Sequence, residues 1–171
     1  VVPAREWCSF EAWPPTAVET RSLNFREGGR LTPGIPSAAE SVATTFTSDP
    51  ADPVPYREAP TFRFTPRPYM GEDQAFAAAR EDVLVFATDP LEEDVTIAGP
   101  LRARLVVSTT GTDSDWVVKL IDGHPAQGER ANEQEMVRSD VLRARFREGF
   151  HQSVGTVPLI PIFVDVDLQD V

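Results

Sequence analysis

Three stretches of this chain alternate side-chain character with a period of two. Leu101, Ala103, Leu105 and Val107 alternate with Arg102, Arg104 and Val106. Leu142, Ala144 and Phe146 alternate with Arg143, Arg145 and Arg147, and Ile162, Val164, Val166 and Leu168 with Phe163, Asp165 and Asp167. Successive strand side chains point to opposite faces, so this pattern sends one face to a core and the other to water. A helix would repeat every three to four residues instead. Each stretch therefore predicts a half-buried antiparallel strand. Residues 23–25, 83–88, 95–98 and 116–122, rich in β-branched and aromatic side chains, are further expected strands. Gly28-Gly29, Asp89-Pro90, Gly99-Pro100, Gly111 and Gly123 supply the turns between them. Counting from Gly111, Trp116, Val118 and Leu120 share one face, and the size of Trp116 predicts that this face is the core. Short strands at this spacing predict an all-β fold, an antiparallel β-sandwich of the jelly-roll type. A length of 171 residues suits one domain with a real core.

Residues 32–68 break the pattern. They carry many of the 16 prolines, among them Asp49-Pro50, Asp52-Pro53-Val54-Pro55 and Pro66-Arg67-Pro68. Proline fixes φ and removes a ladder donor, so no central strand runs here. A disordered linker is one reading; the aromatics Phe46, Tyr56, Phe62, Phe64 and Tyr69 favour an extended arm packed over a neighbour. Residues 72–80, EDQAFAAAR, predict a short helical turn on alanine propensity.

The formal net charge of −11 argues against nucleic acid as a partner, because phosphate contacts need clustered Lys and Arg. No apolar run approaches the roughly 18 residues of a helical membrane span. Cys8 is the only cysteine, so no intrachain disulfide forms. Trp7, Phe10 and Trp13 crowd the first residues and are expected to pack on something. With the strand-like FVDVDLQDV at the other end, they predict a segment of a larger protein.

Catalytic motifs are few. The Gly-x-Ser-x-Gly elbow of an α/β-hydrolase does not occur, nor does a Gly-rich phosphate loop. Ser153 lies two residues from His151, a spacing that a polar loop explains without a triad. His124 and His151 are too far apart for a local zinc pair, and Cys8 has metal-ligand spacing to neither. Asp113-Ser114-Asp115 lacks the glycine and bidentate glutamate of an EF-hand loop. The pair is expected to cap turn N–H groups before the Trp116 strand rather than to hold a cation. Asp49 and Asp52, each before a proline, are expected to do the same. Arg143, Arg145 and Arg147 are expected on one solvated strand face or against a neighbouring domain.

A resemblance adds what spacing cannot supply. Residues 81–125, from Asp82-Val83-Leu84 through PLEEDVTIAGP to STTGTDSDWVVKLID, followed by MVRSDVLRARFREGF, occur in a recognisable order. With EWCSFEAWPP, SDPADPVP and FTPRPYMGEDQAFAAAR, they make nearly the whole chain resemble one family. It is the C-terminal domain of the cocaine esterase, α-amino acid ester hydrolase and glutaryl-cephalosporin acylase group, which includes the X-Pro dipeptidyl peptidases.

The resemblance implies a galactose-binding-like jelly roll that packs on an α/β-hydrolase domain and helps wall its active site. That domain, the implied partner, carries the Ser–Asp–His triad, so this chain alone is expected to be non-catalytic, with no cofactor and no metal. Residues 1–20 match the segment leaving the catalytic domain, and residues 21–171 the jelly roll with its Pro-rich arm at 32–68. The family's final strands are missing here, so the sandwich is either short of them or continued elsewhere. By resemblance Phe64 and Tyr69 line the substrate pocket and Trp7, Trp13 and Phe62 anchor the interface; Phe64 as an interface anchor alone stays open. The alternative function is a carbohydrate- or ligand-binding β-sandwich module. Aromatics under a partner fit the first, and coplanar aromatics on an open face fit the second. The parent's substrate, its compartment (cytoplasmic, periplasmic or secreted) and homo-oligomerisation stay open.

Overall fold

The structure, a computed structural model, describes residues 9–37, 40, 43–61, 71–149, 153–154 and 162–170, with backbone alone at 169 and 170. In chain order the elements are β1 (Asn24–Arg26), β2 (Arg30–Thr32), α1 (Ala75–Ala78), β3 (Pro100–Val107), β4 (Asp115–Gly123), β5 (Gln134–Arg143) and β6 (Ile162–Asp170). A single 3-10 turn, Ala144–Phe146, follows β5. Among the described residues, no helix is long and apolar enough to cross a membrane. The strands pair as β1–β2, β3–β6 and β4–β5. The chain divides into two units, and β4 and β5 contribute residues to both.

The first unit holds residues 1–20, 96–118 and 140–171. Its two ribbons face one another across an apolar core, which makes it an antiparallel β-sandwich. From β3 and β6 come Ala103, Leu105, Val107, Ile162, Val164 and Val166; from the other ribbon come Trp116, Val118, Leu142 and Ala144. Val164 and Ala144 are fully buried, and Val166 nearly so. Burying each of the two valines contributes about 1.5–3 kcal/mol.

The period-two reading holds along β3, where exposure alternates residue by residue to the buried Val107. β3 and β6 pair antiparallel, with Arg102 opposite Asp167, Arg104 opposite Asp165, and Val106 opposite Phe163. The outward face is thus a charge ladder with an apolar pair at one end. Arg104 donates two hydrogen bonds to Asp165, at 2.9 and 3.0 Å, and Arg102 one to Asp167 at 2.6 Å. Pro100, which has no N–H to donate, stands at the strand's start, beside a register shift.

β4 runs antiparallel to β5. Arg143 at the end of β5 reaches Asp115 at the start of β4, and the His124 N–H donates to the Glu133 carbonyl at 2.8 Å across the other end. Trp116 and Val118 pack on the core as expected.

The second unit holds residues 21–95 and 119–139. Its hairpin β1–β2 pairs Phe25 with Leu31 around Gly28 and Gly29, whose φ values are +73° and +72°. L side chains rarely take this left-handed backbone. A Cβ on Gly28 meets open space, whereas one on Gly29 falls 2.8 Å from the Val85 carbonyl oxygen. We expect Gly28→Ala to cost about 1–2 kcal/mol from backbone strain, and Gly29→Ala distinctly more. Paired thermal melts check the order; equal costs would mean that the Val85 approach is unimportant.

The expected helical turn at 72–80 is α1. Asp73 Oδ1 accepts from the Ala75 and Gln134 N–H groups, both at 3.0 Å, tying the turn to β5. Buried Gln74 is satisfied: it donates to the Glu72 carbonyl at 2.8 Å and accepts from Lys119 Nζ at 2.6 Å. Burial pushes the Lys119 ammonium pKa down, and the Phe76 ring lies 5.7 Å away.

Several expected strands differ. Residues 144–146 do not continue a strand. The Ala144 N–H donates to the Ser114 carbonyl at 2.9 Å, and the Arg147 N–H then turns back to the Ala144 carbonyl at 3.2 Å, so the chain coils. Residues 83–88 form only an isolated bridge at Ala87, and residues 95–98 form no strand. Their apolar side chains, Val85, Val95 and Ile97, stay exposed, so no buried face rewards pairing. β2 and most of β5, residues 134–141, went unpredicted. No strand occurs in the described part of 33–61, as the prolines require. There Asp49 Oδ1 caps the Ala51 N–H at 2.8 Å as expected, whereas Asp52 instead accepts from the Arg80 guanidinium.

Candidate functional site

Phe62, Phe64, Tyr69 and Trp7, four of the five residues singled out by resemblance, lie outside the described residues, as do Cys8 and His151. Trp13, the fifth, is half exposed and packs beside Phe10 with centroids 6.2 Å apart and planes tilted by 55°. Phe25 and Phe86 meet at 4.7 Å with an edge-on angle of 60°. Neither pair is coplanar, the arrangement expected of a sugar-stacking platform. Ser153 is exposed.

Asp113 and Asp115 act at longer range than a turn. Asp115 takes two hydrogen bonds from the Arg143 guanidinium, at 2.7 and 2.9 Å. Asp113 pairs with the Arg145 guanidinium and accepts the Arg145 N–H at 3.1 Å. These carboxylates therefore fasten the start of β4 to the end of β5 and the turn after it. Burial alone would raise the Asp113 pKa; its hydrogen bonds to Arg145 and to backbone N–H groups outweigh that and hold it below the ordinary 3.8. The Arg143 guanidinium holds Asp115 below the same value, and Arg104 does so for Asp165.

The sign of the pH effect follows. A carboxylate with a folded pKa below its unfolded value stabilises the fold above the unfolded pKa and loses that stabilisation as pH falls through the folded pKa. We expect the melting temperature to hold steady down to about pH 4 and to fall below it. Asp115→Asn should barely move the midpoint at pH 7, because exposed pairs contribute little, and should flatten the acid limb. An acid limb unchanged in Asp115→Asn together with Asp165→Asn would remove these pairs from the explanation.

A depression of about 410 Å³ is lined by Thr47, Asp49, Asp52, Arg80, Glu81 and Asp82. Small-molecule sites are mostly apolar, and among the described residues no apolar side chain lines this one. Arg80 crosses it, donating to Asp82 at 2.7 and 2.8 Å and to Asp52 at 3.2 Å. It is a charge-paired clasp on the Pro-rich arm.

A second cluster was missed by sequence reading. Asp122, His124 and Glu135 each offer a ligand atom within 4.8 Å of the others. The signal was Asp122-x-His124, two residues apart and so on one face of an extended chain; finding Glu135 required the β4–β5 register.

Residues 3–171 match the family described as the X-Pro dipeptidyl-peptidase C-terminal non-catalytic domain. The chain is 36% identical over 121 residues to the cocaine esterase of Rhodococcus sp. (strain MB1 Bresler), a match that covers 71% of this chain and 20% of that protein. It superposes on an aminopeptidase from a marine sediment Thaumarchaeota archaeon with a TM-score of 0.91 and 36% identity, over 99% of this chain and 29% of the other. An α-amino acid ester hydrolase gives a TM-score of 0.79 and 35% identity, over 86% of this chain and 25% of the other. The chain thus spans less than a third of the length of each of these relatives. A family match over nearly every residue, on a β-sandwich, places this chain in the X-Pro dipeptidyl-peptidase C-terminal non-catalytic domain family.

Proposed function

We propose that this chain is the ancillary β-sandwich of a serine hydrolase that acts on esters or amides by acyl hydrolysis or transfer. The match to a non-catalytic domain carries this reading. The ester-cleaving and peptide-cleaving names of its relatives support the substrate class. Residues 1–20 are the segment leaving the α/β-hydrolase domain, and residues 21–171 form the jelly roll that packs on it. In the parent protein a serine attacks the carbonyl, a histidine shuttles the proton and an oxyanion hole holds the developing charge, all supplied by the hydrolase domain. The sandwich contributes shape. Phe64 on the Pro-rich arm and Tyr69 just after it wall the acyl pocket, while Trp7, Trp13 and Phe62 anchor the interface. Trp13, half exposed in this chain, is the kind of large amphipathic side chain that interfaces recruit.

The test is made in the full-length protein. Phe64→Ala should lower kcat/KM for a bulky aromatic ester by about tenfold while sparing a small acetyl ester, since a lost apolar contact of 1–3 kcal/mol acts on the acyl group alone. An equal loss on both substrates would make Phe64 a structural anchor. No loss on either would remove the arm from the active site.

A further inference from the structure

We propose that Asp122, His124 and Glu135 form a binding site for one divalent transition-metal ion, of the zinc class, at the loop end of the β4–β5 hairpin. Their ligand atoms converge within 4.8 Å of one another. A tetrahedral ion with bonds of about 2.0–2.2 Å holds its ligand atoms about 3.3–3.6 Å apart. His124 Nε2 and Glu135 Oε2 already stand 3.6 Å apart. Asp122 is exposed, so a rotation of its side chain closes the remaining distance at little cost.

A second observation points the same way. His124 Nε2 is shielded from solvent and has no hydrogen-bond partner, with Glu135 Oε2 just beyond reach. A buried polar nitrogen left unpaired is costly, and a metal ion is one of the few partners that satisfies an imidazole lone pair between carboxylates. Charge favours a cation as well. Arg130 donates to Glu133 at 2.6 and 2.9 Å and to Glu135 at 2.8 Å, and Asp122 adds a third carboxylate to the cluster. Those bonds fix the Glu135 carboxylate in place. The mixed imidazole–carboxylate set selects zinc, nickel or copper over calcium and magnesium, which take oxygen alone. With three protein ligands, water completes the coordination shell. The ion would staple the first residue after β4 to β5, across the 124–133 loop.

The full chain, stripped with chelator, is titrated with zinc chloride and followed by calorimetry and thermal melting. One saturable equivalent should bind and raise the melting temperature by several degrees, while calcium chloride leaves it unmoved. Losing a residue that merely supports a metal ligand weakens binding by about 10–100-fold, so Asp122→Asn should cost at least tenfold and His124→Gln should abolish binding. Cobalt should give the visible absorption of a tetrahedral or five-coordinate site in the parent and none in His124→Gln. If His124→Gln fails to fold, the exposed Asp122→Asn decides the matter alone. No saturable zinc binding, an equal shift with calcium, or zinc binding unaltered by Asp122→Asn would overturn the proposal.

Discussion

Val164→Asp should leave the protein unfolded at 25 °C, while Phe163→Asp, one residue away, should leave its stability within about 0.5 kcal/mol of the parent. The two positions are neighbours on β6 and face opposite ways. Val164 is fully buried, whereas Phe163 is 69% exposed beside Val106. An aspartate at 164 would sit among Val107, Leu142, Ala144 and Val166, with no cation among the described residues of that core to pair it. Burying an unpaired ionisable group ranks among the most destabilising single changes, above about 4–5 kcal/mol, against a total stability of about 5–15 kcal/mol. Circular dichroism and denaturant titration of both variants provide the readout. Comparable destabilisation by the two would mean that β6 does not present alternate residues to core and solvent.

Trp116→Ala should cost about 3 kcal/mol, the lower end of the range for a large aromatic, because Trp116 is only partly buried where it packs on the core. Its ring fills space beside Val118 on the β4 side of the sandwich, and truncation leaves a gap that the strand cannot close without losing its register with β5. The urea midpoint should fall by about 1–3 M with the m-value unchanged. A marginal shift would place the ring outside the core.

β3, β4 and β6 were legible because their inward positions are almost purely apolar, so one pattern encodes both strand and facing. β5 obscured its own start. Its less exposed phase runs Met136, Arg138, Asp140 and Leu142, and two charged residues in that phase erase the alternation. The error at 144–146 has the opposite cause: three arginines at spacing two imitate a strand face, while Arg145 and Arg147 serve a turn, Arg145 paired to Asp113 and Arg147 donating to the Ala144 carbonyl at 3.0 Å. Which aspartate meets which arginine was not legible. Asp113, Asp115, Asp165 and Asp167 each find a partner at least 28 residues away, set by strand register and, for Asp113, by the turn after β5. Asp122, His124 and Glu135 went unseen for the same reason. The pocket residues Phe64 and Tyr69 came from family resemblance alone, because aromatics in a proline-rich arm carry no period and no chemistry of their own.

The central claim is that catalysis in the parent protein belongs to residues outside this chain. Labelling the full-length protein with a serine-directed fluorophosphonate, followed by peptide mapping, tests it most directly, alongside turnover of an amino-acid ester before and after labelling. We predict a single labelled serine upstream of residue 1, loss of turnover in step with labelling, and no turnover above background by residues 1–171 alone. Labelling of Ser153 or of any other serine within 1–171, with turnover lost on Ser153→Ala or His151→Ala, would contradict the assignment and make this sandwich catalytic.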